Sequence, residues 1–226
     1  MAAELSVNIR KFESRDRDQV RAISHDTAFM GQPASVFFEG KEIICDALNL
    51  YFTDYEPESC FVAEANSAVV GYLIGAKSKI TAEKVFKDKI IFSLFWKALR
   101  SGIFIKKKNI AFIISCFKAL LKGGLATPDF TKEYPATFHI NIKKEYRGQN
   151  IGTTLISAYL SYLKQNLVPG VHLATISQAG ADFFSKQSFQ LLYEGKRSYF
   201  KHVLHKDVPL YIYGKKLGDV SIFPLI

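Results

Sequence analysis

The chain has 226 residues, a formal net charge of +9, and 48% hydrophobic and 14% aromatic residues. That composition supplies a substantial core and excludes a disordered chain, and the length suits one large domain or one domain with an insertion. The charge is confined: residues 77–127 hold twelve Lys/Arg against two acids, Glu83 and Asp88, so this span carries +10 and the rest about −1, and the basicity of the whole chain is no argument for a nucleic-acid partner.

Ser6–Phe12 alternates apolar Val7 and Ile9 with polar neighbours and reads as a first strand. Asp16 and Gln19 have the spacing of a capping box that opens a helix to about Ala28. Gly31-Gln32-Pro33 breaks the chain before a second helical pattern over Glu42–Phe52. An acidic, proline-broken loop follows (Asp54, Glu56, Glu58), and then Cys60–Ala65 and Ala68–Ala76 read as a hairpin turning at Asn66-Ser67.

The basic segment carries two helical patterns rich in Ile and Phe, Thr81–Leu99 and Asn109–Leu121, closed by Gly123-Gly124 and Pro128. Thr137–Ile142 is a strand leading into Glu145-Tyr146-Arg147-Gly148-Gln149-Asn150-Ile151-Gly152-Thr153, and a helix continues to about Asn166. Val171–Ile176 reads as a strand, Gln178–Lys186 as a short helix, and Phe189–His202 and Pro209–Lys215 as two final strands.

A strand that breaks into a glycine-bearing turn and then a helix leaves backbone N–H groups without intrahelical partners at the positive end of the helix dipole. Gly148 and Gly152 let an anion approach the backbone, and Arg147 adds a fixed charge with bidentate geometry, so the stretch is a site for phosphate or pyrophosphate. Arg147-Gly148-Gln149-Asn150-Ile151-Gly152 resembles the Arg/Gln-x-x-Gly-x-Gly/Ala loop of GNAT acyl-CoA N-acyltransferases, with Asn150 where that pattern has its middle glycine. Phe183-Phe184-Ser185-Lys186-Gln187-Ser188-Phe189 is similar to the family's Phe-Tyr-x-Lys-x-Gly-Phe passage. The Tyr134–Asn141 run is also similar to the acetyltransferase-like subgroup found in O-GlcNAcases.

The resemblance implies a single α/β (α+β) domain over residues 1–226. Its mixed central sheet of about seven strands is flanked by helices, with a basic helical insert, 77–130, between strands three and four. It also implies transfer of an acetyl or other acyl group from CoA to a primary amine, by direct attack in a ternary complex. The acyl-CoA would be held by backbone groups near Ile140 and Ile142, by Arg147, Gly148, Gln149, Asn150, Ile151, Gly152 and Thr153, and by Ser177 and Phe184. The competing reading is a non-catalytic acyl-CoA-binding or partner-binding module.

A strand covered on both sides should be apolar on both, so Thr137, His139 and Asn141 on one face point to a lined cleft. His139 is the candidate proton relay, with Asn141 beside it as a second catalytic candidate, against the reading of a satisfied structural histidine. Where many family members place a tyrosine that protonates the leaving thiolate, this chain has Phe184, so either another donor serves, with Tyr193 and Tyr199 nearby in sequence, or the thiolate leaves unaided, or catalysis is weak. Asp54 and Glu56 are candidates for binding a cationic amine, against a solvated acidic loop, and His25-Asp26 carries the same ambiguity.

The three cysteines, Cys45, Cys60 and Cys116, show no metal or redox spacing, so no metal site and a reducing compartment are expected. Met1–Leu5 lacks the start of a secretory signal, and the apolar runs are too short to span a bilayer, which points to a cytoplasmic protein. The insert is expected to pack on the sheet edge as a lid, to lie on an anionic membrane, or to hold an acidic or acyl-chain acceptor beneath it; a homodimer is a further open expectation. No nucleic-acid motif is present.

Overall fold

The computed structural model describes residues 7–218, so the readings made for Met1–Leu5 and for Ser6 lie outside the described residues. The chain runs β1 (Val7–Lys11), α1 (Arg17–Thr27), α2 (Lys41–Asp54), β2 (Phe61–Ala65), β3 (Ala68–Ala76), α3 (Lys79–Val85), α4 (Ile91–Arg100), α5 (Lys107–Leu121), β4 (Ala136–Ile142), α6 (Ile151–Gln165), β5 (Gly170–Thr175), α7 (Gln178–Lys186), β6 (Gln190–Arg197), α8 (Lys201–Leu204) and β7 (Val208–Lys216). The strands form one seven-stranded sheet in the order β1-β2-β3-β4-β5-β7-β6. Among the described residues, only β4 and β5 pair in parallel.

The hairpin between β2 and β3 turns at Asn66 and Ser67, both with positive φ (49° and 61°), as a two-residue turn matched to strand twist requires. β3 is buried along nearly its whole length because it is covered on both faces. Val70 and Leu73 pack with Leu155, Ile156 and Tyr159 of α6, while Val69, Tyr72 and Ile74 pack with Val20 and Ile23 of α1 and Phe52 of α2.

Asp16 does not cap α1 as expected. Its buried carboxylate accepts from the Glu13 N–H at 2.9 Å and from both terminal nitrogens of Arg10 at 2.6 and 2.8 Å. A bidentate, charge-assisted partner from β1 outcompetes a neutral cap. Gln19, the expected second half of the box, instead accepts the Val69 N–H at 2.9 Å and pins α1 to β3.

The insert departs from the sheet after β3. The helix expected over Thr81–Leu99 is interrupted by a π turn, Phe86–Ile90, between α3 and α4. α5 starts two residues before the expected Asn109. The Asn109 side chain is fully buried, where it accepts the Glu39 N–H at 2.7 Å and donates to the carbonyls of Glu39 and Ile103 at 2.9 and 3.0 Å. One amide thus satisfies three backbone groups and holds the insert against the segment before α2.

The strand expected to reach His202 stops at Arg197. Beyond it Phe200 turns inward onto Phe29 and Phe37, with ring centroids 4.9 and 5.0 Å away. That burial bends the chain into α8 before it re-enters the sheet as β7, between β5 and β6.

Candidate active site

β4 and β5 pair only at Ala136↔Val171 and Thr137↔His172, and then part. The Lys143 N–H donates to the Val70 carbonyl at 2.9 Å in register with the β3–β4 ladder. Ladder donors alternate along a strand, so the N–H groups of His139 and Asn141 face β3 and those of Ile140 and Ile142 face the gap. The gap is the mouth of a cleft of about 990 Å³, lined from β4 by Phe138 to Ile142 and from the β5 side by Leu173 to Ser177.

The loop before α6 forms the cleft's second rim. Gly148 adopts φ +80°, and a Cβ on it would meet nothing within 4 Å; Asn150 adopts φ +62° immediately before the helix. Asparagine is among the few residues that accept this left-handed conformation, so the loop keeps its shape without a glycine there. Among the described residues, none accepts a hydrogen bond from the backbone N–H groups of Gly148 to Thr153; the first one satisfied is Thr154, which donates to Asn150 at 3.1 Å. Six successive unpaired donors at a helix N-terminus form a cradle for an anion.

The side chains around the cradle have specific employment. Arg147 donates from Nε to the Ile142 carbonyl at 3.0 Å and lays its guanidinium against Gly31, spanning the cleft mouth. Gln149 donates to the Glu145 carbonyl at 3.3 Å. Ile151 is buried in the core, so only its backbone faces the cradle. Gly152 has a reason beyond anion access: a Cβ there would stand 2.9 Å from the Phe183 ring and 3.3 Å from Ile142. The Thr153 hydroxyl accepts from Gln187 at 3.0 Å, tying α6 to α7. The Ser177 hydroxyl accepts the Gly180 N–H at 3.1 Å and caps α7. Phe184 is buried edge-on to Phe138 and Phe189, where it forms wall rather than chemistry.

Thr137, His139 and Asn141 occupy the opposite face of β4. The Asn141 amide donates to the hydroxyl of buried Tyr72 at 2.8 Å, and burial pushes the Tyr72 pKa up to about 12. His139 stands edge-on to Phe52, 5.5 Å between centroids, and neither ring nitrogen bonds a described residue. Solvent reaches the ring through the cleft, yet protein surrounds it on the remaining sides. This enclosure disfavours the imidazolium and lowers the pKa, so the neutral, proton-accepting form prevails at neutral pH.

Several expected residues lie elsewhere. Asp54 takes the Arg17 guanidinium at 2.6 Å and the Thr53 hydroxyl at 2.7 Å. Glu56 is buried and accepts from the Tyr51 hydroxyl, the Ser59 hydroxyl and the Lys77 N–H at 2.8, 2.5 and 2.8 Å. Both carboxylates are consumed by the fold, and neither lines the cleft. Tyr193 folds over Gly195 beside a bulge in β6, away from the cleft, whereas Tyr199 lines it, its pKa raised by burial. His25 and Asp26 pair with each other at 2.9 Å, outside the lining.

One feature had no sequence signal. A second chamber of about 380 Å³ shares Phe138, His139, Ala174, Arg197 and Leu210 with the cleft and is walled by Tyr51 and Phe52 of α2 and by Ala82, Glu83 and Phe86 of the insert. His139 stands at the junction. Arg197 donates to the carbonyls of Gly124 and Leu125 at 2.7 and 3.3 Å, so it braces the insert's exit rather than offering a free charge. Among the described residues, no group of three or more His, Cys, Asp or Glu could hold a metal ion.

Residues 28–189 match the family described as the acetyltransferase (GNAT) family. No curated protein matches the chain. Among solved structures, SsHAT is 20% identical with a TM-score of 0.69, covering 95% of this chain and 100% of its own. The polyamine N-acetyltransferase of Drosophila melanogaster, which forms N-acetylagmatine, is 12% identical with a TM-score of 0.61, covering 93% and 100%. The yncA protein of Salmonella typhimurium, solved with its cofactor acetyl-CoA, is 11% identical with a TM-score of 0.58, covering 95% and 96%. At these identities the likeness is one of fold.

Proposed function

The chain belongs to the GNAT acetyltransferase family, and on that footing we propose that it transfers an acetyl group from coenzyme A to a primary amine presented beside His139. The observation that carries this reading is the unpartnered His139 at the junction of two cavities, one of which is rimmed by the unpaired N–H groups of Gly148 to Thr153. The acyl-CoA would lie in the larger cleft, its pyrophosphate on that cradle and beside Arg147, and supplies the activated thioester. The N–H groups of Ile140 and Ile142, aimed into the gap, are positioned to donate to a carbonyl oxygen that gains charge during attack.

The neutral His139 accepts the proton that the amine loses, directly or through one water. Tyr199 is the hydroxyl in the cleft that replaces the missing donor at Phe184, its raised pKa keeping it protonated. Attack is direct. Burial raises the thiol of Cys45 to about 11 and that of Cys60 to about 12, and raises Cys116 as well, so none is a ready nucleophile. The acceptor enters through the second chamber, whose apolar and aromatic wall of Ala47, Tyr51, Phe52, Phe86 and Ile212 suits an amine carried on an apolar body; its one carboxylate, Glu83, is paired with Lys79 at 3.7 Å.

Phe184 and the absence of a partner orienting His139 favour a second reading, a non-catalytic acyl-CoA-binding module. Calorimetric titration with acetyl-CoA followed by a screen of arylalkyl amines separates the two. Binding with turnover that falls in His139→Gln supports transfer, binding without turnover supports the module, and no binding of any acyl-CoA overturns both.

A further inference from the structure

The insert leaves an apolar face uncovered. Ile90, the last residue of the π turn, and Leu94 and Ala98 of α4 point into the protein, while Ile91, Phe92, Phe95, Trp96 and Leu99 fill the neighbouring arc and stay exposed, Phe92 at 65%. Phe92, Trp96, Phe95 and Phe104 form a chain of rings with successive centroids 6.0, 5.9 and 6.2 Å apart, so the face extends into the turn before α5, where Ile105 is 81% exposed. In α5, Ile110, Ile113, Ile114, Phe117, Leu120 and Leu121 recur at helical spacing and are exposed too. Soluble monomers rarely leave so much apolar surface contiguous with no partner for it.

The charges beside this face select the partner. Some lysines of the insert are used within the protein: Lys97 pairs with Asp46, and Lys106 and Lys108 pair with Glu39. Lys84, Lys87, Arg100, Lys107, Lys118 and Lys122 form no ion pair among the described residues. A second copy would bring the same +10 span against this one, and like charges would oppose the pairing. Among the described residues no helix is long and apolar enough to cross a membrane. Amphipathic helices with aromatic side chains on one face and unpaired lysines beside it instead lie flat in the interface of an anionic bilayer.

We propose that the insert docks on anionic phospholipid bilayers, with Phe92, Phe95, Trp96 and Phe104 entering the interface and the unpaired basic side chains meeting the headgroup phosphates. Docking depends neither on acyl-CoA nor on His139, so it stands or falls separately from the transfer reaction.

Trp96 is the only tryptophan in the chain, which makes its emission a direct reporter of the proposed contact. The full-length protein is mixed with vesicles of phosphatidylcholine alone, or of phosphatidylcholine with one third phosphatidylglycerol, and followed by Trp96 fluorescence and flotation. The expected result is a blue shift and co-flotation with the anionic vesicles, both weakened several-fold by high salt. Phe92→Ser combined with Phe95→Ser should weaken vesicle binding about tenfold or more without lowering the melting temperature, because both side chains are exposed. Unchanged Trp96 emission with no flotation on anionic vesicles overturns the proposal. So does a blue shift that grows with protein concentration in the absence of lipid, which assigns the face to a second copy.

Discussion

The ring of Tyr159 occupies the space that a side chain on Gly75 would need: a Cβ there would lie 2.4 Å from two ring carbons. The hydroxyl of the same ring lies 3.0 and 2.9 Å from the carbonyls of Ala76 and Thr137 and so bridges β3 and β4 at the point where the sheet begins to open. Gly75→Ala should therefore destabilise the fold by about 1–3 kcal/mol through overpacking. Urea denaturation monitored by circular dichroism checks it, and an unchanged midpoint would show that α6 can shift to make room.

His139 gives a pH signature. Its folded-state pKa is depressed by desolvation, so the unfolded chain binds the proton more readily in the window between that lowered value and the ordinary histidine value near 6.5. Stability should rise with pH through this window and level off above it. His172, also lowered chiefly by burial, contributes in the same direction. His139→Gln should thus reduce the slope of melting temperature against pH without abolishing it. The same variant should lower the acetyl-transfer rate about a hundredfold or more and remove the acidic inflection from its pH profile.

Asn150 and Arg147 separate the conformational from the electrostatic requirement of the loop. Asn150→Gly should keep both stability and acetyl-CoA affinity, because glycine takes φ +62° freely. Asn150→Val should cost about 1–2 kcal/mol and weaken the cradle. Arg147→Gln should leave the melting temperature unchanged and weaken acetyl-CoA binding several-fold, more so at low salt. Calorimetry beside thermal melts resolves these three outcomes.

Asn109 anchors the insert through three hydrogen bonds to Glu39 and Ile103. Asn109→Leu strands a buried N–H and two carbonyls, and should cost about 2–4 kcal/mol. The loss should be local first: amide exchange in α4 and α5 should accelerate while β3 and β4 stay protected.

The elements were legible in the sequence wherever local chemistry dictates them. Asn66-Ser67 marks its hairpin, Gln178–Lys186 is the helix its pattern describes, and the loop before α6 carries its glycines and arginine in plain order. What the sequence hid depends on distant partners. Nothing near Glu56 distinguishes it from Asp54 and Glu58, yet it alone is buried, because Tyr51, Ser59 and the Lys77 N–H converge on it. Tyr193 and Tyr199 look equivalent until the bend at Phe200 swings only the second into the cleft. The second chamber needs walls from α2, the insert and four strands together, so no single stretch of sequence announces it.

The π turn at Phe86–Ile90 sets the phase of everything after it. A π turn takes one residue more than an α turn, and each residue advances a helix by about 100°. Ile90, Leu94 and Ala98 meet the protein, and Phe92, Phe95 and Trp96 look outward, only because that surplus residue is present. Deleting one residue from the turn would rotate α4 about its axis and trade its inner stripe for its outer one. The orientation of the whole aromatic face is thus held by a single count in the backbone, and a one-residue deletion would erase it while leaving every aromatic side chain in the chain.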